Sequence, residues 1–543
     1  MTSSLIFVAA FATSVGMSTG DCGPSAPATG GDSTCSTCWR STLYPESWTP
    51  EQTDSEGRFL HDFSYAGYHN GEVALPSTPP GATYAVTTYG ADPTGTQDST
   101  AAIQATINAA GAAGGGIVSL PAGTYLCHGL LTINASGVVL RGAGTSATKL
   151  VFTRSDAMTD KEHIRFAGGA GKGAQLALAV DGVSRSHTVR LNDASSLSIG
   201  DDVQVGWTIT PAFVQRHDME DTWVTFNGQW KPFFQRSVVA IDLTATPHTV
   251  ELDVPLRYPA FVSDGASLRT ISGYISEVGI EHLAVSNAVD KSDAYDQDRA
   301  HVIGMRNVKD GWVRDVVSFD SPWSDDNGGH HLQSGGIYVG TSKRVTVADC
   351  VMEEAQNRGP GGNGYLFEIT RSSEILIRDS IGRKGRHNFI QNWDFGTNGC
   401  VFLRTESYKG RAYKGTWDPI GIQSCSEFHH SLSMANLIDA SRADDCWAAE
   451  NRNNYSSGAG LTATETVFWR TRGNGKIRSY NAGLGYVIGT IDIDVKTNLN
   501  IIDPVSNKAK HSAPEDFTEG LDAGGNLRPL SLYDDQLQKR MGN

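Results

Sequence analysis

The chain has 543 residues, with 60 glycines, 8 methionines, 44 basic and 59 acidic side chains. One compact core stops growing near ~250–300 residues, so this length means several domains or one elongated repeat body. The net charge of −15 argues against a general nucleic-acid binder or an anionic-membrane binder. After residue 20 no run is apolar enough to span a bilayer.

Residues 1–20 read as a signal segment, because the apolar stretch Leu5–Met17 has the length of an h-region and is too short to span. No Lys or Arg precedes it; Arg40 is the first basic residue. The expectation is a secreted or cell-surface protein, with Cys22 as a weakly placed lipoprotein anchor behind Asp21. Residues 21–45 read as a flexible linker rich in Ser, Thr, Gly and Pro. Eight cysteines suit an exported chain but do not make a disulfide scaffold at this length. Cys35 and Cys38 have no second pair at zinc spacing, so they read as a local disulfide or plain linker cysteines.

Residues 46–172 are assigned to an N-terminal extension, a helix and the first coils of a repeat. Tyr84 opens a strand and a turn. Ser99 or Thr100 caps a helix over Ala101–Ala112 with Ile103, Ile107 and Ala110 on one face, and Gly114-Gly-Gly stops it. Short strands follow at Ile117-Val-Ser-Leu, Thr124-Tyr-Leu, Leu130–Ile133 and Val138-Val-Leu, separated by Gly- and Asn-bearing turns.

Four pieces in one order carry a resemblance: Tyr89-Gly-Ala-Asp, Asp98-Ser-Thr-Ala-Ala-Ile-Gln, Gly114-Gly-Gly-Ile-Val-Ser-Leu-Pro-Ala-Gly-Thr-Tyr and Val139-Leu-Arg-Gly-Ala-Gly. This stretch resembles the opening module of the pectate-lyase-like superfamily. The resemblance implies an all-β fold, a right-handed parallel β-helix over residues 84–500 with the helix capping its N-terminal end. It is specific for fold and not for reaction, since the same opening heads lyases, hydrolases and viral tailspikes.

Residues 173–268 break the pattern and read as a β insert, bearing Trp207, Phe213, Trp223, Phe226, Trp230, Phe233 and Phe234. These aromatics form either the insert's own core or a sugar-stacking wall. Residues 269–500 are assigned to the main coils and the substrate groove. Trp312-Val-Arg-Asp, Val345-Thr-Val-Ala-Asp, Ile375-Leu-Ile-Arg-Asp, Val401-Phe-Leu-Arg and Glu427-Phe-His-His repeat at steps that suit one β-helix turn. Their alignment stacks Arg314, Ala348, Arg378, Arg404 and His429, and predicts Cys400 beside Cys425, about 4.8 Å away. Residues 501–543 read as a tail ending in an amphipathic helix with Leu530, Leu532, Tyr533 and Leu537 on one side.

Residues 371–414 hold nine basic side chains against four acids, a basic strip on an acidic body that suits an extended anionic ligand. A second column, Tyr338, Glu368, Gln391 and Gln423 continuing to Glu450, reads as a groove floor that bonds sugar hydroxyls. The densest cluster is Arg383-Lys-Gly-Arg-His-Asn-Phe-Ile-Gln-Asn-Trp. Elimination on a uronate needs a cation to hold the carboxylate, a base for the C5 proton and an acid for the leaving oxygen. Arg386 or Arg383 fits the first role and His387 or Lys384 the second, with His429 and Glu450 as further catalytic candidates. Arg378, Arg404, Glu368, Asn388, Gln391, Gln423, Trp393 and Arg452 are the substrate-binding candidates. His330-His331 after Asp325-Asp326 offers acid, base or a Ca2+ ligand, or is an ordinary loop; adjacent histidines diverge on a strand, so neither this pair nor His429-His430 alone is a zinc site, and no metal ligand set is assigned, with Ca2+ left open as a cofactor.

Polygalacturonase-type relatives carry Asn-Thr-Asp, Asp-Asp, Gly-His-Gly and Arg-Ile-Lys in order; here only Asp325-Asp326 and Gly329-His330 recur, and Lys476-Ile-Arg does not complete the set. The reading is a secreted polysaccharide lyase on a uronate-containing chain, against a glycoside hydrolase or a non-catalytic glycan-binding β-helix. The partner is an anionic polysaccharide, with no nucleic acid, no membrane span and no oligomeric state read from sequence.

Overall fold

The computed structural model describes residues 36–325, 329–413, 422–498, 501–502, 509–510 and 514–542. The expected signal segment, Cys22, Cys35, Asp326 and Lys414 lie outside them; Cys38 is disulfide-bonded. Residues from Trp39 onward form one compact unit. Among the described residues no helix is long and apolar enough to cross a membrane.

That unit is a parallel β-helix. Its strands stack in three columns, each pairing in parallel with its equivalent one coil later. One column climbs through Gly116–Leu120, Val138–Gly142, Lys343–Ala348, Leu376–Arg378, Val401–Leu403 and Leu437–Asp439. A second climbs through Gly123–Cys127, Val351–Glu353, Ile381–Arg383 and Glu406–Tyr408. The third is a ten-stranded sheet. It contains β1 (Tyr365–Thr370), β2 (His387–Gln391), β3 (Ser426–Phe428), β4 (Cys446–Ala449) and β5 (Lys476–Ser479). Parallel coils bury one side of every strand, and the interior is a continuous apolar stack from Val118 through Phe367, Phe389 and Trp447 to Val487.

Helix α1 (Thr100–Ala112) closes the N-terminal end, with Ile103, Ile107 and Ala110 buried. Ser99 stands at its N-cap without bonding the helix; its hydroxyl instead accepts from the Asp92 amide, 2.9 Å away. Residues 176–272 carry an antiparallel sheet outside the coils. Trp207, Phe213, Trp223, Phe226, Phe233 and Phe234 fill its core together with Phe395, Leu432 and Leu461 of the β-helix. Of the seven aromatics expected to form the insert's core or a stacking wall, only Trp230 stays half-buried, under Arg269.

Helix α2 (Leu532–Arg540) and the extension over Leu43–Ala66 cover the outer face of the first column. Leu532 and Tyr533 are buried there, but Leu530 is exposed, because the helix starts only after Ser531, whose hydroxyl caps Asp534. This cover corrects the expected register. Cys400 and Phe402 point into the core, while Val401 and Leu403 point outward under Leu43, Tyr44 and Tyr533. Both sides of that strand are apolar, so alternation could not tell inside from outside. Arg314, Ala348 and Arg378 do stack, but Arg378 lies beside Leu403 rather than Arg404, and Val401 beside Leu437. His429 belongs to the third column, in the same row as β3. The ladder Arg378–Arg404–His429 therefore does not exist. Cys400 is a free buried thiol, and Cys425 is bonded to Cys446 one coil on.

Candidate active site

The basic residues of the expected strip fall into two groups. Those on the first two columns are consumed by acids. Arg378 pairs with Asp379 (2.8 Å), and Arg404 with Asp379 (2.7 Å) and Asp534 of α2 (2.7 Å). Arg383 pairs with Glu353 (3.2 Å) and Lys384 with Glu354, each one coil earlier. These four do not line the cleft described next, so they do not make an anionic-ligand strip.

The second group faces outward from the third column. Here the groove floor also needs correction. Leu366 and Phe367 both point into the core, which breaks the alternation of β1. Phe367 then stacks on Phe389 (4.8 Å between ring centres), and Gln391 falls beside Ile369. Gln391 is buried and bonds Thr397, Asn388 turns inward to Ser407 and Asp445, and Gln423 is exposed with its amide 3.3 Å from the Asp445 carbonyl. The outward row in register is Tyr338, Glu368, Ile390, Glu427, Ala448 and Arg478. Glu368 is held by Arg299 (2.8 Å), His301 (2.9 Å) and Asn392 (2.9 Å), which keeps its carboxyl ionised despite burial. Trp393 is 42% exposed and packs on His430.

A cleft of about 380 Å³ opens over β2 to β5, lined by Arg386, His387, Ser424, Glu427, Glu450, Asn451, Arg452, Asn453, Tyr455 and Arg478. It gathers four of the fourteen site residues expected from sequence, Arg386 and His387 from the dense cluster with Glu450 and Arg452, and a fifth, His429, pairs with the lining residue Glu427. Glu427 and Asn451 stand near His429-His430 and Glu450 in the sequence reading without a role, and Arg478 and Tyr455 were not expected there. Glu427 could have been found from Glu427-x-His429, since residues two apart on a strand share a face.

His387 sits at the start of β2. Its Nδ1–H donates to the Cys425 carbonyl (2.6 Å), so the neutral ring presents an unprotonated Nε2, which has no hydrogen-bond partner and lies 3.7 Å from Glu427. Burial pushes the ring down to about 4. His429 is pushed down to about 3, first by burial and then by Arg452, and its Nδ1 meets Glu427. Burial opposes the charge on Glu427, yet His387, Arg452 and His429 together hold it well below the usual carboxylate range. Glu450 goes the other way: burial raises it, Arg478 (3.4 Å) opposes the rise, and Glu427 adds to it. The cleft thus holds two carboxyls with opposite tendencies and three guanidinium groups, Arg386, Arg452 and Arg478. Such a site can bind an anion and transfer a proton.

Residues 84–210 match the family described as rhamnogalacturonase A/epimerase, pectate lyase-like. No curated protein matches. Among solved structures, ORF18 of Geobacillus virus E2 is 12% identical with a TM-score of 0.37, over 80% of this chain and 59% of that one. The tailspike protein gp49 of Pseudomonas phage LKA1 is 12% identical with a TM-score of 0.39, over 76% of each chain. The catalytic unit of an α-1,3-glucanase from Streptomyces thermodiastaticus is 14% identical with a TM-score of 0.28, over 83% of this chain and 71% of that one. This chain therefore spans under two thirds of the Geobacillus virus protein. The three columns of parallel strands make the chain a parallel β-helix protein, and its opening segment, residues 84–210, is similar to the pectate-lyase-like family.

Proposed function

We propose that the cleft binds an anionic, uronate-bearing polysaccharide and cleaves it by β-elimination. The observation that carries this reading is that Glu450 shares one cleft with Arg386, Arg452 and Arg478. The arginines hold the uronate carboxylate and stabilise the charge that develops on it as the C5–H bond breaks. Glu450, raised by burial, takes the C5 proton. A carboxylate with a raised pKa is a stronger base than an ordinary one. The C4–O bond then breaks, leaving a C4=C5 double bond, and the departing oxygen takes a proton from cleft water. His387 and His429, pushed down to about 4 and about 3, are weak bases; in this reading they anchor Glu427.

A second reading rests on the same two carboxyls. Glu427 is held ionised and Glu450 is pushed toward its protonated form, the division of labour of a glycosidase pair. The net positive lining favours the lyase. Export is part of the proposal, and the Cys425–Cys446 disulfide supports it, since such bonds persist outside the reducing cytosol.

The test is a screen of acidic and neutral polysaccharides. Unsaturated uronate ends, seen by their ultraviolet absorbance, select the lyase. New reducing ends without that absorbance select the hydrolase. Binding without chain shortening selects a glycan-binding protein with no catalysis.

A further inference from the structure

We infer that His387, Glu427 and His429 form a binding site for one divalent transition-metal ion of the zinc type. The inference goes beyond the functional reading above, which uses this trio only as an anchor, and it rests on geometry alone.

One ligand atom from each residue lies within 4.8 Å of the other two, and all three residues are buried. Around a zinc ion with bonds of ~2.0–2.1 Å, tetrahedral ligand atoms stand about 3.3 Å apart. His387 Nε2 and Glu427 Oε1 are 3.7 Å apart, close to that spacing, while His429 Nδ1 sits in direct contact with Glu427 Oε1, so the imidazole and the carboxylate must turn apart to admit an ion. The second observation is the state of His387. It is 4% exposed, and its Nε2 is a buried nitrogen with no hydrogen-bond partner. A buried polar atom without a partner is expensive and uncommon. Here the partnerless atom carries a lone pair turned toward a carboxylate.

The surroundings suit ligation as well. The Cys425 carbonyl takes the Nδ1 proton of His387 (2.6 Å), which fixes the tautomer a metal needs at Nε2. On His429 the Nδ1 atom faces Glu427 and Nε2 lies 3.3 Å from the Ser456 hydroxyl, which can accept the ring proton once Nδ1 ligates. The three residues come from β2 and from β3 with its following residue, neighbouring strands about 4.8 Å apart, so the sheet itself sets the spacing. Two imidazoles and one carboxylate select zinc-like ions over Ca2+, which takes six to eight oxygens. His387 and Glu427 line the cleft beside Glu450, so a fourth position would open toward substrate. In catalytic zinc sites such an open position serves as a Lewis acid.

The experiment uses the full chain stripped with chelator and titrated with Zn2+ by calorimetry and with Co2+ by visible absorption, without substrate. One equivalent should bind at this site, with a four- or five-coordinate Co2+ spectrum. His387→Ala and Glu427→Gln should each weaken binding at least 10²-fold. Glu427→Gln keeps the shape of the side chain, and circular dichroism checks folding. The inference is overturned if the wild type shows no such equivalent, or if both folded variants bind as the wild type does. It is also overturned if Ca2+ binds in preference. Product formation from uronate polymers is read separately. Metal binding without any unsaturated product would defeat the functional reading and leave the metal site standing, whereas product formed by a chain that binds no Zn2+ would do the reverse.

Discussion

Glu374→Gln is the sharpest test of how the insert is fixed to the coils. Glu374 stands in a turn of the β-helix, 1% exposed, with φ of 55°. Its carboxylate accepts from Arg257 Nε (3.2 Å) and Nη2 (3.0 Å), and Arg236 Nη2 lies 3.5 Å away. Both arginines come from the insert region and are fully buried. Arg257 Nη1 also donates to the Asp62 carbonyl, and Arg236 to the Gln235 and Pro255 carbonyls and to Asn398 Oδ1, while Arg236 Nε has no hydrogen-bond partner. The glutamine keeps the volume and removes the charge, leaving two guanidinium groups in the interior with neutral acceptors only. Removing one partner of a buried pair costs about 3–5 kcal/mol. At about 1.4 kcal/mol per factor of ten, this should speed amide exchange in strand Trp230–Asp242 by roughly 10²- to 10³-fold, provided exchange follows local opening. Arg257→Met in the same chain should recover part of the loss, as expected for coupled neighbours. Exchange within a factor of five of wild type in Glu374→Gln would refute the reasoning: the carbonyls alone would then satisfy both arginines.

Other outcomes follow from the same contacts. Cys446→Ser opens a bridge spanning 21 residues and should lower stability by about 3 kcal/mol in urea titration if the loop-entropy account holds. Equal midpoints for the variant and the oxidised wild type would contradict it. Asp439 is buried against the start of α2, accepting from the Ser531 hydroxyl and the Leu532 and Tyr533 amides, and burial raises it from 3.8 to about 7. Between those values the folded chain holds a proton that the unfolded chain releases, so its contribution to stability falls as pH rises from about 4 to about 7. Asp439→Asn should flatten that fall in melting curves taken across the window. An unchanged pH dependence would mean that Asp439 titrates normally.

Much of the architecture was legible because glycine-marked turns and strand order survive in the sequence. Gly114-Gly-Gly, for instance, ends α1 and starts a strand at Gly116, where φ of 151° and a 2.6 Å approach to the Ala82 carbonyl leave no room for a side chain. Register was harder to read, for two physical reasons. Where α2 and the N-terminal extension cover the first column, outward residues such as Val401 and Leu403 are as apolar as inward ones. Where Leu366 and Phe367 both turn inward, the two-residue period slips, and Gln391 moves off the outward row. The candidates Arg386, His387, Glu450 and Arg452 line one cleft, with His429 against Glu427, even though the basic ladder that pointed to an anionic ligand fails. Arg478 escaped notice, and Glu427 was left without a role, because their rows, Ile390 beside Glu427 and Ala448 beside Arg478, mix apolar and charged residues.

The most direct test of the central claim compares wild type with Glu450→Gln on uronate polymers while unsaturated ends and reducing ends are followed together. The account predicts that the wild type produces both in equal number. It predicts that Glu450→Gln, folded by circular dichroism, loses at least ~10²-fold in turnover, the lower range for removing a proton-transfer group. The acidic limb of the wild-type rate profile should lie above the ordinary glutamate value, because burial raises Glu450 and only its ionised form accepts the proton. Reducing ends without unsaturated ends, or a Glu450→Gln variant as fast as wild type, would contradict the account.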